Sequence, residues 1–374
     1  MNLHTIRFMS SSLKILSFMT ALTIGQFCLS AEDNVIEQRP REIREVVAVD
    51  NVCAWPNLTL MNDGRLVATI FNQPSHGSQS GDVDCWESRD GITWTLLGTP
   101  APHEPNTNRM NVAAGLAGNG DLIVLSSGWS NEQQSGQPKK AKFRDAVLDV
   151  WVCRSADGGK TWTQAATFPP APAGFHPLIP FGDIVIARDG SLRTTAYTTI
   201  STPDERRKRA VWIVRSDDDG RTWKIQSQIG EEANETSLFR LDDQTWLAAA
   251  RTEESVIVLY RSVDDGQNWT RQGPISGPSE INGHLSRLND GRLLLTYGNR
   301  AAGRYGVLAK YSSDSGVTWS TPVRLTDALN LDCGYPSSVP LQDGSIVTVW
   351  YSKSSKNHDR YHMGAAVWKL NADK

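Results

Sequence analysis

Residues able to move protons or grip anions recur at comparable places along this 374-residue chain. Trp55, Arg109, His176, Glu235, His284 and Tyr335 each stand at the start of a strand-like run, with Ala54 beside Trp55. The segment Asn72–His76, Trp129, Tyr197, Arg251, the segment Asn299–Arg304 and Tyr351 stand where the next runs end. Carboxylates, phenols and imidazoles donate or accept protons, and guanidinium groups bind oxyanions through parallel hydrogen bonds. Gathered at one opening, such residues make a ligand site.

Whether they gather depends on the elements that carry them. Five segments share the pattern S-x-D-x-G-x-T-W: Ser88–Trp94, Ser155–Trp162, Ser216–Trp223, Ser262–Trp269 and Ser312–Trp319. The first copy is one residue short, and the fourth has Asn268 in place of Thr. Their aspartates, Asp90, Asp157, Asp218, Asp264 and Asp314, are 67, 61, 46 and 50 residues apart. The Asp carboxylate accepts turn N–H groups, Gly supplies positive φ, and Trp covers the turn from the following strand. A second set of turns interleaves with these, at Asp63-Gly64, Asn119-Gly120, Asp189-Gly190, Asp242-Asp243, Asp290-Gly291 and Asp343-Gly344. Each unit reads as four antiparallel strands, and such units repeated around a centre make propeller blades. The expectation is an all-β, six-bladed β-propeller over residues 43–374. Its last blade, near Gly334–Val367, is completed by the strand Ile43–Val49. Both sets of turns fall at one end of the barrel, which leaves the chemistry-bearing residues at the opposite mouth.

The composition agrees with that class. Hydrophobic residues make up 39% and charged residues 21%, with 13 Trp and 30 Gly. This excludes collagen-like, coiled-coil and largely disordered chains. A formal net charge of -3 argues against general attraction to nucleic acid or anionic membrane. Arg7 and Lys14 precede a broken apolar run from Ile15 to Leu29, followed by Ser30 and Ala31. That order predicts an export signal over residues 1–31, cleaved near Ala31, with 32–42 as an exposed lead-in and a periplasmic or extracellular mature protein. No other stretch is suited to spanning a bilayer. Cys53, Cys85, Cys153 and Cys333 show no metal-ligand spacing and read as buried free thiols. Cys53 and Cys333 hold matching places before Pro56 and Pro336, so a bridge between them is the alternative. With no metal cluster and no phosphate loop, no cofactor is expected.

The repeats resemble the Asp-box, or BNR, motifs of the sialidase superfamily, across about residues 50 to 370. The resemblance implies further residues. Asn234-Glu235 followed by Trp246-Leu-Ala-Ala-Ala-Arg251 is similar to the Glu and Arg that sialidases carry on one inner strand and the end of the next. Arg304, with Arg300 competing, takes the place of a later substrate-binding Arg. Gly334-Tyr335-Pro336-Ser337-Ser338 resembles the setting of the nucleophilic Tyr, with Pro336 departing from the pattern. Ala54, in Cys53-Ala54-Trp55-Pro56, stands where the first of three carboxylate-gripping arginines is expected, and Arg109 is the candidate replacement. The acid/base residue belongs to the segment Ser75–Asp84, with Asp82 first and His76 second.

The implied chemistry hydrolyses a glycan with an acidic terminal sugar. A phenol is a weak nucleophile near neutral pH, and a neighbouring carboxylate relieves it of its proton as attack proceeds. A neutral nucleophile also avoids the repulsion that a carboxylate meets at a carbon bearing a carboxylate. Other readings stay open. Tyr335 packing in the channel wall, a structural Glu235–Arg251 pair, and Arg304 as a solvated cation would leave a non-catalytic glycan binder. His176 or His284 with Tyr335 and an Arg would suit β-elimination on a uronic acid, making a polysaccharide lyase.

Overall fold

In the computed structural model, residues 38–76, 80–130, 146–200 and 208–370 are described. The export signal expected over 1–31, with cleavage near Ala31, and the first part of the lead-in lie outside them. Runs of β-branched, aromatic and small residues between Gly- and Asp-bearing turns form strands throughout, and no α-helix occurs among the described residues.

The chain opens with β1 (Ile43–Asp50). Next come β2 (Cys53–Leu60), β3 (Leu66–Phe71), β4 (Val83–Ser88) and β5 (Thr95–Ala101), which pair in sequence order as one antiparallel sheet. β6 (Thr107–Leu116), β7 (Leu122–Ser130), β8 (Ala146–Val147), β9 (Trp151–Ser155) and β10 (Thr163–Ala165) follow, and then β11 (Ile179–Ile186), β12 (Leu192–Tyr197), β13 (Ala210–Ser216) and β14 (Lys224–Glu231). These nine form one sheet, because β6 and β11 meet in a short parallel pairing, Gly182 to Ala113 and Asp183 to Ala114. Two four-stranded sheets come next. One holds β15 (Ala233–Arg240), β16 (Trp246–Thr252), β17 (Ile257–Ser262) and β18 (Thr270–Pro274); the other holds β19 (Glu280–Arg287), β20 (Leu293–Asn299), β21 (Gly306–Ser312) and β22 (Val323–Asp327). The last sheet has the order β1, β25 (His362–Trp368), β24 (Ile346–Ser352), β23 (Cys333–Pro340), so the first strand borders the last.

Burial is graded across the sheets. Second strands such as β3, β7, β12, β20 and β24 are buried along their whole length, while outer strands such as β10 and β18 are mostly exposed. Sheet packs on sheet through clusters such as Leu66, Ala68, Ile70, Val347, Val349 and Met363. Each large aliphatic side chain buried this way contributes about 1.5–3 kcal/mol. All four described cysteines are free and buried in these layers.

The S-x-D-x-G-x-T-W segments join paired strands, for example β9 to β10 and β13 to β14. At the second copy the Thr161 amide donates to Asp157 Oδ1 at 2.9 Å, the Gly159 amide to Ser155 Oγ at 2.8 Å, and Trp162 Nε1 to the Gly159 carbonyl at 2.9 Å. In the fourth copy the Asn268 side chain replaces the threonine hydroxyl, donating to Asp264 Oδ2 at 2.7 Å.

One irregularity recurs at the same level of every innermost strand. Register slips between Cys53 and Asn57, Arg109 and Asn111, Phe181 and Val185, Ala233 and Thr236, Ile281 and His284, and Gly334 and Ser337. A β-bulge interrupts the ladder and re-aims the side chains beside it. Ala54, Trp55, Asn282 and Tyr335 take positive φ at these bulges.

Candidate active site

Tyr335 sits on β23 at φ 53°, between Gly334 and Pro336. Pro336 has no N–H to give the ladder, which favours a bulge there. Gly334 is required by closeness, since a Cβ on it would lie 3.0 Å from the Gly298 Cα. A left-handed tyrosine costs roughly 1–3 kcal/mol, a strain the surrounding sheets must hold.

The bulges on β15, β19 and β23 bring together one buried cluster. Tyr335, only 5% exposed, donates its hydroxyl hydrogen to Glu235 Oε1 at 2.8 Å. Glu235, also 5% exposed, accepts at Oε2 from Arg251 Nη1 at 2.7 Å and from Asn282 Nδ2 at 2.8 Å. Arg251 Nη1 also donates to the Tyr335 oxygen at 2.9 Å. One guanidinium nitrogen thus bridges the phenol and the carboxylate. Burial first, and the Glu235 charge second, push the Tyr335 phenol well above its ordinary range against the opposing pull of Arg251 and Arg300. The resting group is therefore a phenol whose proton already points at a base. Burial disfavours the Arg251 charge, but Glu235 outweighs it and holds the guanidinium above its ordinary value.

Arg300 is the second cation of the cluster. Its guanidinium carbon lies 5.4 Å from the Tyr335 ring centroid, Nη2 donates to the Tyr351 hydroxyl at 2.9 Å, and Nε to the Cys333 carbonyl at 3.0 Å. The assignment favouring Arg304 is corrected by this placement. Arg304 is exposed beyond β20, and its carbonyl accepts from Arg324. Arg300, one residue past the strand end, is aimed inward by the ladder, whereas Arg304 follows a turn through Gly303.

Arg109 is committed elsewhere. It is 2% exposed, donates to the Asp149 carbonyl at 2.7 Å and stacks 3.7 Å over the Trp151 ring. It braces its own sheet, and the place of Ala54 is filled by Trp55, whose ring lies 5.6 Å from Tyr335 and 5.5 Å from His76. Asp82 accepts from the amide and Nδ1 of His103 at 2.7 and 2.6 Å. His176 is half-buried on the loop before β11. His284 is buried on β19: Ser338 N donates to its Nδ1 at 3.3 Å, and its Nε2 lies 2.9 Å from an Asp183 carboxylate oxygen. Below Tyr335 a void of about 20 Å³, lined by Asn57, Asn282 and His284, has room for about one water.

Sequence reasoning missed Asn282 and Asp332. Asp332 accepts from the Tyr351 hydroxyl at 2.6 Å and from Tyr361, and lies 3.6 Å from His76 Nε2. Its signal was its place three residues before Tyr335. Asn282 carried no signal, because only the bulge at Ile281–His284 turns it to Glu235. Among the described residues no group of three or more His, Cys, Asp or Glu is placed to hold a metal, and no helix is long and apolar enough to cross a membrane.

Residues 64–348 match the model of the BNR repeat-like domain. A Bacteroides fragilis sialidase is 22% identical over 339 residues, covering 82% of this chain and 61% of its own, so the chain spans about three fifths of that curated relative. A Dyadobacter fermentans protein of unknown function superposes with a TM-score of 0.75 at 21% identity, over 88% of this chain and 99% of its own. The Hadza microbial sialidase Hz136 gives 0.68 at 19% identity, over 86% and 66%. A Trypanosoma rangeli sialidase mutant displaying trans-sialidase activity gives 0.67 at 14%, over 88% and 59%. At these identities the structural likenesses establish the fold, that of the sialidase propellers. With three quarters of its length matched by the family model, the chain belongs to the BNR-repeat sialidase superfamily.

Proposed function

We propose that this protein is an exported, sialidase-like glycoside hydrolase that removes a terminal acidic sugar, sialic acid or a relative, from glycans. The observation that carries the reading is the closed contact of Tyr335, Glu235 and Arg251. In this reading the Tyr335 oxygen attacks the anomeric carbon while its proton passes to Glu235. Arg251 and Arg300 grip the substrate carboxylate and draw negative charge onto the phenol oxygen as it leaves its proton. The product of the first half is a glycosyl-tyrosine, which water then opens with retention of configuration. Trp55 gives the sugar an apolar wall where the related enzymes hold a further Arg.

The scaffold of this reading is six four-stranded blades with Asp-box turns, spanning residues 43–374. The nine-stranded sheet is then two four-stranded blades, with the short β8 paired beside β7, joined by the β6–β11 pairing. Residues 1–31 form the export signal, cleaved near Ala31. Of the two histidines weighed for a lyase, His284 is occupied by Asp183 and Ser338, and His176 lies on the loop before β11.

The test is release of 4-methylumbelliferone from its sialoside by the wild type and by Tyr335→Phe. The expected result is turnover by the wild type only. Equal rates remove Tyr335 as nucleophile, and glycan binding without turnover in either protein replaces the hydrolase with a lectin.

A further inference from the structure

The reaction just proposed leaves one role unfilled, the proton donor to the departing oxygen. Glu235 cannot supply it, because it receives the Tyr335 proton and already accepts from three donors. Asp82 is engaged by both His103 donors. Asp84, whose carboxyl burial pushes up, accepts from Thr99 at 2.7 Å and Asn72 at 3.1 Å within β4.

Resting on the glycosidase reading, we infer that His76, paired with Asp332, is the acid and then the base of the reaction. Both belong to the mouth that holds Tyr335. The His76 ring centroid lies 5.5 Å from Trp55 and 5.4 Å from Tyr351. The same two rings flank Tyr335, at 5.6 and 5.7 Å. Nucleophile and imidazole therefore border one aromatic-walled space. The Asp332 carboxylate stands 3.6 Å from His76 Nε2, an ion-pair separation. Its oxygens are fixed by Tyr351 and Tyr361. Burial opposes its charge, yet His76 and these hydroxyls hold the carboxyl below its ordinary value. The other charged and titratable groups around the pair are Arg300 beside Tyr351, Lys353 over Tyr361, and the buried Cys53 and Cys333 thiols, both of which burial raises. The His76 side chain is 25% exposed, which leaves the imidazole within reach of the water that opens the intermediate.

The steps balance. The Tyr335 oxygen bonds to the anomeric carbon as the bond to the aglycone oxygen breaks. The freed electron pair takes the proton of the His76 imidazolium, and Glu235 takes the phenol proton. In the second half, neutral His76 removes a proton from water, whose oxygen displaces tyrosine, and Glu235 returns its proton to the phenolate. Asp332 is a positioning residue that keeps the imidazolium charged.

The experiment compares kcat/KM for an activated aryl sialoside and for sialyllactose, whose leaving alcohol needs protonation. Loss of the acid in His76→Asn should cost about 10²- to 10⁴-fold on sialyllactose and far less on the aryl substrate, with the alkaline limb of the sialyllactose pH profile abolished. Asp82→Asn should leave both rates within about threefold of wild type, because its carboxylate is tied to His103 and Asn72. Equal losses on the two substrates in His76→Asn, or the selective loss appearing in Asp82→Asn instead, overturns the assignment. A second measurement does not depend on turnover. The His76 titration, followed by NMR, should lie above the ordinary value near 6.5 in the wild type and fall in Asp332→Asn. An ordinary titration in both proteins overturns the pair, whereas a raised titration in a wild type that hydrolyses neither substrate overturns the glycosidase reading.

Discussion

Arg300 and Arg304 lie four residues apart, and only one of them lies in the Tyr335 cluster. Arg300→Ala removes a guanidinium that is 5.4 Å from the Tyr335 ring and tied to Cys333 and Tyr351. If it grips the substrate carboxylate, the loss of that charge-assisted contact costs about 2–4 kcal/mol. That corresponds to roughly 30- to 900-fold in kcat/KM. The two internal hydrogen bonds contribute about 1 kcal/mol each, so the variant should stay folded with a melting temperature a few degrees lower. Arg300→Lys keeps the charge but loses the planar fork, and should recover only part of the rate. Arg304→Ala, at an exposed position, should act within about twofold of wild type. The assay is the initial rate of 4-methylumbelliferone release across substrate concentration, with circular dichroism as the control for folding. A loss in Arg304→Ala as large as in Arg300→Ala, or an Arg300→Ala enzyme within threefold of wild type, refutes the reasoning from placement.

Further expectations follow from the same contacts. Tyr335→Phe should lower kcat by at least about 10³-fold while the fold survives, because Glu235 keeps Arg251 and Asn282. A melting temperature that collapses with activity would instead mark Tyr335 as a wall residue. Arg193 has no exposed surface and binds both oxygens of the partly exposed Asp265 at 2.6 Å, so Arg193→Ala should cost about 1.5–3 kcal/mol, read as a drop in denaturant midpoint. An unchanged midpoint would show that the pair carries no stability. The turn carboxylates make stability acid-sensitive. The Thr93 amide, the Asn268 side chain and the Thr318 hydroxyl hold Asp90, Asp264 and Asp314 down to about 2. At Asp218 burial opposes the same outcome, but the Thr222 hydroxyl and amide prevail, again at about 2. Depressed folded values give stability that is complete above the unfolded value of 3.8 and is lost as pH falls toward 2. Thermal melts should be level down to pH ~4 and fall steeply below it; a steep loss between pH 7 and 5 would point to other groups.

The turns, the strand runs and the membership of the superfamily were legible in the sequence because each is a local statement. A S-x-D-x-G-x-T-W segment closes its own hydrogen bonds within eight residues, whatever surrounds it. Tyr335, Glu235 and Arg251 could be marked because each ends or begins a strand in the repeat. Local pattern did not decide between Arg300 and Arg304, since both follow β20 and only the turn at Gly303 separates them. Nor could it show that Arg109 would be spent on Asp149 and Trp151. Asn282 and Asp332 reach the site through bulges and strand ends on different sheets, 47 residues from Glu235 in the first case. Sequence sets which backbone bends are affordable, through Gly334 and Pro336. The direction each side chain takes after a bulge is set by the neighbouring sheets packed against it, and that is a property of the assembled fold alone.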